Sequence, residues 1–188
     1  MKSYPITKVI LLASIAALAS CSAPSKLQTI IIPTSSGKNS QLSDQIFNGV
    51  NAYRQSKGMS DLQRHAGLDQ LAKNHSEYML QNRGKFKVHG KNVSHWGHEG
   101  RALIAQQRFG FQNTSENVAA AYNPGKSAAS VLLQLWATSK AHRINLDSSW
   151  PYTGIGTAVD RDGTVFATQI FATARTGQQA RRERFNQH

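Results

Sequence analysis

The stretch Leu132–Leu146, LLQLWATSKAHRINL, decides how the rest of the chain is read. Leu132, Leu135, Trp136 and Ser139 recur at helical spacing, which predicts a helix over 127–145 with one face packed into a core. Leu135 and Trp136 are expected to back that face. His142 falls near it at the far end, where an imidazole can point into a cleft. Asn145 is expected to stop the helix, and Asp147-Ser148-Ser149 with Pro151 marks the exit. The other segments must supply what His142 meets.

Outward from this helix, composition sets the bounds. The chain has 188 residues and 39% hydrophobic content, enough for one domain with a core. Its formal net charge of +12 points to anionic partners: lipid headgroups, cell-wall polymers or nucleic acid.

Residues 1–20 are predicted to be a signal peptide. Lys2 and Lys8 make a positive start, and Val9–Ala19 is an apolar run too short to span a bilayer. Leu18-Ala19-Ser20-Cys21 resembles a bacterial lipoprotein box, which makes Cys21 the lipidated first residue of the mature chain. A plain secretory signal with an incidental cysteine is the alternative. Cys21 is the only cysteine, so no intramolecular disulfide forms and stability must come from packing. Several acyl chains on Cys21 would anchor the protein stably to a membrane. Residues 21–40 read as a tether rich in Ser, Pro, Gly and Asn. Its Ile30–Ile32 run fits either a short strand or a segment docked on the domain.

The domain is predicted over 41–174. Ser43-Asp44 can cap a helix over 44–57, with Leu42 as a staple residue and Ile46, Phe47, Val50 and Tyr53 facing inward. A second helix over 68–82 carries the stripe Leu68, Leu71, Ala72, His75, Met79. His75 on that stripe reads as a core-edge histidine bonded to a neighbour. Residues 84–100 form a long connection with His89, His95 and His98, and long connections inside compact domains are commonly functional. A third helix is expected over 99–108. Thr114 or Ser115 can cap a turn before a strand over 118–122. Glu116 sits oddly ahead of that apolar run, although the first turn of a helix also favours an acid. Strands over 154–159 and 164–173 close the domain as a hairpin around Asp160-Arg161-Asp162-Gly163. That sequence reads as a turn, because a calcium loop needs further ligands. Residues 175–188 form a basic tail with Arg175, Arg181, Arg182 and Arg184.

His95, Glu116 and His142 each fall where an element meets a loop. Two imidazoles and a carboxylate can hold zinc with an open fourth position, or act as acid and base.

The order of segments resembles the CAP superfamily (cysteine-rich secretory proteins, antigen 5 and pathogenesis-related 1) in a cysteine-free bacterial form. The pieces that carry the resemblance begin with Asn51-x-x-Arg54 with Gly58, Ala72-x-x-His75-Ser76-x-x-Met79, and Ser94-His95 with Gly100-Arg101. They continue with Ser115-Glu116-Asn117-Val118-Ala119, Trp136-x-x-Ser139-x-x-His142-Arg143-x-Asn145-Leu146, and Gly154-Ile155-Gly156 with Thr168-Gln169. The resemblance implies an α+β fold, an α-β-α sandwich with a small antiparallel sheet between helical layers. It also implies a central cavity with two histidines and two acids. His95, Glu116 and His142 take three of those places, and His89 or His98 replaces His95 if the loop register differs. The second acid commonly precedes the second histidine, but here Ser139-Lys140-Ala141 holds no carboxylate. The chain departs from the family set there, and Glu99 is a candidate substitute.

Two functions follow from the resemblance. One is an envelope-anchored, non-catalytic module whose cavity binds a small lipid or sterol-like ligand or an envelope partner. The other is a metal-assisted hydrolase or peptidase, with zinc on His95 and His142. No G-x-S-x-G or H-E-x-x-H supports a known protease class, and Ser139 reads as a serine bonding back to its own helix. Arg175, Arg181, Arg182 and Arg184 are expected to touch anionic envelope surfaces, and nucleic acid is not an expected partner of an exported lipoprotein.

Overall fold

The computed structural model describes residues 37–86 and 93–175. The signal peptide, Cys21, the Ile30–Ile32 run, His89 and the tail beyond Arg175 lie outside the described residues.

Among the described residues the elements run α1 (Gly37–Gln55), β1 (Gln63–Arg64), α2 (Ala66–Gln81), α3 (His98–Phe109), β2 (Phe111–Ala121), α4 (Ala128–Thr138), α5 (Lys140–Leu146), β3 (Tyr152–Val159) and β4 (Val165–Ala174). The strands form one sheet in the order β1-β3-β4-β2. β2, β3 and β4 pair antiparallel, while the two-residue β1 runs parallel to β3. The sheet is therefore mixed at one edge, where an antiparallel sheet was expected. β1 is too short to show an alternating pattern in sequence.

Strand alternation sorts the two helical layers. Odd residues of β3 and β4, Ile155, Val165, Ala167 and Phe171, share a cluster with Ile46 and Val50 of α1 and Leu132 and Trp136 of α4. Even residues Ile170 and Ala172 pack on Leu68, Leu71 and Ala72 of α2 and Ala105 of α3. Phe166 packs on Met79, again of α2. This is the α-β-α sandwich. Closeness on the α2 face depends on glycine. A Cβ on Gly156 would lie 2.0 Å from Lys73 N, and one on Gly154 would lie 2.2 Å from the Leu68 carbonyl carbon. Only hydrogen at those positions lets the helix backbone lie on the strand.

Several expectations change at the element ends. α1 starts at Gly37, inside the stretch read as tether, so Ser43 and Asp44 are helix interior and not caps. Ser43 Oγ instead meets Thr157 Oγ1 at 3.3 Å, and Asp44 pairs with Arg64. The strand predicted over 118–122 begins at Phe111, so Thr114 and Ser115 lie within it. The helix predicted over 127–145 is two helices, broken at Ser139, whose backbone is extended at φ −80° and ψ 121°. Leu132 and Trp136 are buried as expected, but Leu135 is exposed and backs nothing. Periodicity over α4 includes Leu135 because it steps by three and four. Its spacing places Leu135 beside Leu132 and Trp136, yet it stays out of the cluster that Val131 and Leu133 join.

The breaks are fastened by polar side chains. Arg54 is buried, and its Nη1 donates to Leu146 O (2.7 Å) and Ser148 O (2.8 Å) while Nε donates to Ser60 O (2.9 Å). One guanidinium thus ties the end of α1 to the end of α5. Asn51 pairs with both backbone groups of Leu62, as a strand residue would.

Candidate functional site

Glu116 is the centre of the polar cluster, and it is a strand residue. β2 alternation turns it toward α2, with a side chain 1% exposed. A bare carboxylate so placed would carry a large desolvation cost. Arg101 of α3 offsets that cost with a two-point pair, Nε to Oε2 at 2.7 Å and Nη2 to Oε1 at 2.8 Å. His95 Nδ1 donates to Oε1 at 3.0 Å, which fixes the proton on Nδ1 and leaves Nε2 as the other ring nitrogen. His75 Nε2 lies 3.8 Å from the same oxygen and donates to Ser94 O at 2.7 Å.

The electrostatics follow from these contacts. Burial pushes the Glu116 carboxyl up, but the hydrogen bonds from His95 and Arg101 and the Arg101 charge outweigh it and leave it below its ordinary value. Glu116 is therefore an anion at neutral pH. Burial lowers the His75 imidazole, and Arg101 lowers it further against the pull of Glu116. A neutral His75 agrees with its role as an Nε2–H donor.

His142 reaches the same place by a different route. The break at Ser139 starts α5 afresh, and α5 is stitched to β2 by amides. Asn145 Nδ2 donates to Asn117 Oδ1 at 2.8 Å, Ser115 Oγ donates to Asn145 Oδ1 at 2.7 Å, and Asn117 Nδ2 donates to His142 O at 3.1 Å. His95, Glu116 and His142 together line one cavity of about 400 Å³, with Ser139 and Asn145 on the α5 wall and Val93 and Val118 as apolar lining. The three residues singled out in the sequence thus share one space.

The substitutes do not. His98 and Glu99 line a separate groove beside α3. Lys140 is exposed and is not among the cavity's lining residues. A further groove of about 500 Å³ lies between the start of α1 and α2, lined by Arg64, Asp69 and Lys73, and contains none of the predicted residues. Sequence reasoning gave Arg101 no role beyond its place in the Gly100-Arg101 piece, and took His75 for a bonded core histidine, which it is, without its proximity to Glu116. A signal existed: a carboxylate ahead of an apolar strand run needs a cation, and Gly100-Arg101 lies between His95 and Glu116.

The described side chains do not form a complete zinc site. Three protein ligands are needed. Both Glu116 oxygens are engaged by Arg101, which leaves His142 and His95, whose Nδ1–H on the carboxylate frees its Nε2, as the imidazoles in the cavity lining. Among the described residues, no group of three or more His, Cys, Asp or Glu side chains is arranged to hold a metal ion.

Comparison with known proteins agrees with the fold. The architecture is similar to an outer surface protein from Borrelia burgdorferi, at TM-score 0.57 and 14% identity over 72% of this chain and 94% of that one. It is similar to a cysteine-rich secretory protein from Staphylococcus aureus, at TM-score 0.52 and 19% identity over 72% and 39%. It is also similar to an extracellular protein containing a SCP domain from Bacillus anthracis, at TM-score 0.53 and 27% identity over 71% and 41%. The chain spans about two fifths of the length of those last two. No curated protein sequence matches significantly. The family model for cysteine-rich secretory proteins matches residues 47–171, from the inward face of α1 to Phe171 in the core of β4. That match takes in more than half of the chain and every residue that lines the cavity, and so the chain belongs to the CAP family.

Proposed function

We propose that this CAP domain is an exported, membrane-anchored binding module, whose His95/Glu116/His142 cavity takes a small amphipathic ligand without catalysing a reaction on it. The observation that carries the reading is the double engagement of Glu116. A general base needs a free carboxylate oxygen and a pKa near the working pH. Glu116 has neither, since Arg101 and His95 hold both oxygens and keep the group ionised. The carboxylate is a fixed anchor for His95. The cavity walls combine Val93 and Val118 with the imidazoles and Asn145, a mixed lining suited to a ligand with an apolar body and a polar end.

Export is supported by the charged start, short apolar run and Cys21 box of residues 1–21, and by the likeness to an outer surface protein and an extracellular protein. Lipidated Cys21 would hold the domain at the membrane. Arg175, Arg181, Arg182 and Arg184 would add contact with anionic envelope surfaces. Among the described residues no helix is long and apolar enough to cross a membrane.

Equilibrium titration with fluorescent fatty acids tests the cavity. The chain should bind, and His142→Ala should weaken binding about tenfold, the loss of one hydrogen bond to a buried polar group. Absence of binding by both forms refutes the ligand reading. Stoichiometric zinc with cleavage of a peptide library would replace it with the metal-assisted hydrolase.

A further inference from the structure

Two walls of the cavity change character where they meet the surface. On one, α5 gives Ala141, His142 and Asn145 to the lining, while Lys140, Arg143 and Ile144 beside them are exposed. Ile144 is 58% exposed, an apolar side chain left in water next to a cation in the chain. On the other wall Ser94 and His95 line the cavity, and the next residue, Trp96, is 68% exposed. Trp96 is held in place. Its N–H donates to Ser94 Oγ at 3.0 Å, its carbonyl accepts from Arg101 Nη1 at 3.0 Å, and its ring stacks on Tyr78 with centroids 5.1 Å apart. One face of the indole is packed and the rest is presented to solvent. A ring already fixed has little conformational entropy left to lose when something covers it.

Charge indicates what covers this rim. From Asn117 to Leu146 the sequence has no Asp or Glu, while it has Lys126, Lys140 and Arg143. The acids that border these segments are accounted for. Glu116 is enclosed and gripped by Arg101, Asp147 accepts from Tyr53 Oη at 2.9 Å, and Glu99 lines the separate groove beside α3. A presented tryptophan, an exposed isoleucine and two cations make the residue set of a bilayer interface. The indole suits the headgroup level, the aliphatic side chain the acyl boundary, and the cations the anionic phosphates. The exposed apolar pair of α3, Leu103 and Ile104, lacks that charge pattern, since Leu103 shares its groove with Glu99.

We propose that this rim, Trp96 with Lys140, Arg143 and Ile144, docks on an anionic lipid surface, so that the cavity opens onto the leaflet and takes its ligand from the bilayer. The inference rests on the reading of the cavity as a site for an amphipathic ligand, and it adds the surface that delivers one.

The test reads Trp96 itself, because a lipidated Cys21 would hold the full chain on a vesicle whatever the domain does. The full chain is mixed with phosphatidylcholine vesicles, with or without phosphatidylglycerol, whose acyl chains are brominated near the headgroup. Quenching seen in wild type and missing from Trp96→Phe belongs to Trp96, which removes the background of Trp136 and Trp150. On phosphatidylglycerol vesicles Trp96 emission should shift to the blue and be quenched. Lys140→Glu/Arg143→Glu should need about tenfold more vesicle lipid for the same quenching. Sodium chloride at about 1 M should have the same effect on wild type. Leu103→Ser/Ile104→Ser should change nothing. Water-like Trp96 emission on phosphatidylglycerol vesicles overturns the proposal, and so does quenching that neither charge reversal nor salt weakens. Titration with a fluorescent fatty acid in the absence of vesicles separates the two readings, because charge reversal on the rim should leave that affinity unchanged. Fatty-acid binding with unquenched Trp96 strikes the docking surface alone. Trp96 insertion with no fatty-acid binding by any form keeps the docking surface and strikes the ligand.

Discussion

Of the arginines that grip carboxylates among the described residues, Arg101 and Arg83 sit in the most different settings. Arg101 holds Glu116 at 2.7 and 2.8 Å, with the two side chains 12% and 1% exposed. Arg83 holds Asp160 at 2.6 Å and Asp162 at 2.5 Å across the β3–β4 turn, where its own side chain is 30% exposed. Bond lengths do not separate the two. Solvent does, because water can readily replace the partners of Arg83, while the Glu116 side chain is almost wholly shielded. A buried pair is costly to break and of little net worth when whole, while a wet pair is cheap to break. The comparison predicts a steep ranking of mutational effects.

The largest effect belongs to Glu116. Glu116→Gln leaves the Arg101 charge enclosed beside a neutral amide, and it should destabilise the domain by about 3 to 5 kcal/mol in urea unfolding. A loss below about 1 kcal/mol would mean that water reaches the site after all. The paired replacement sharpens the point. Arg101→Met/Glu116→Gln removes both charges, so it should recover at least about 2 kcal/mol relative to Glu116→Gln alone. Simple additivity of the two single losses would show that the residues do not act as a unit.

Next in size is a pH effect on the neighbour of this pair. Burial depresses the folded-state pKa of His75 below its ordinary 6.5. The unfolded chain therefore takes up a proton that the folded chain refuses as pH falls through 6.5. Stability contributed by neutral His75 is present above that value and is lost progressively on the acid side, toward the lower folded pKa. Glu116 adds a second loss further down: its folded pKa is depressed, so its contribution goes as pH falls through that lowered value. His75→Gln keeps a donor for Ser94 O and does not titrate. Its melting midpoint should fall less than that of wild type between about pH 7 and pH 5. Parallel curves would remove His75 as the cause.

This contrast also marks what the sequence could convey. The inward faces of α1, α2 and the closing hairpin were legible, because 3.6- and two-residue periods appear directly as Ile46/Val50, Leu68/Ala72 and Ile155/Thr157. His95, Glu116 and His142 could be named through motif resemblance, and they line one cavity. Arg101 could be suggested as the cation for Glu116 but not established, since its grip lies in two distances to a residue fifteen positions away. The Ser139 break was hidden for a related reason. Leu132 to Leu146 keeps helical spacing on both sides of the break, and the residues that hold α5 in its new direction, Ser115 and Asn117, belong to another element. β1 is fixed by Pro151 O and Thr153 O, far along the chain, and has no pattern of its own.

The smallest effect belongs to the wet clasp. Thr164 N–H and Arg83 hold the Asp162 carboxyl down to about 2, so Asp162 is ionised throughout the range in which the domain would be studied. Its stabilising contribution is complete above its unfolded pKa and is lost only as pH falls through about 2. Arg83→Ala should therefore leave the urea midpoint close to wild type, with no pH dependence between about pH 5 and 8. Any residual loss should shrink as sodium chloride rises, because solvent-facing charges are screened. The turn itself should persist. It is closed by backbone bonds from Asp160 N to Thr164 O at 2.8 Å and from Gly163 N to Asp160 O at 3.0 Å, which Arg83 does not touch. An Arg83→Ala loss as large as that of Glu116→Gln, and insensitive to salt, would mean that burial is not what distinguishes the two arginines. The ranking drawn from them would then fail.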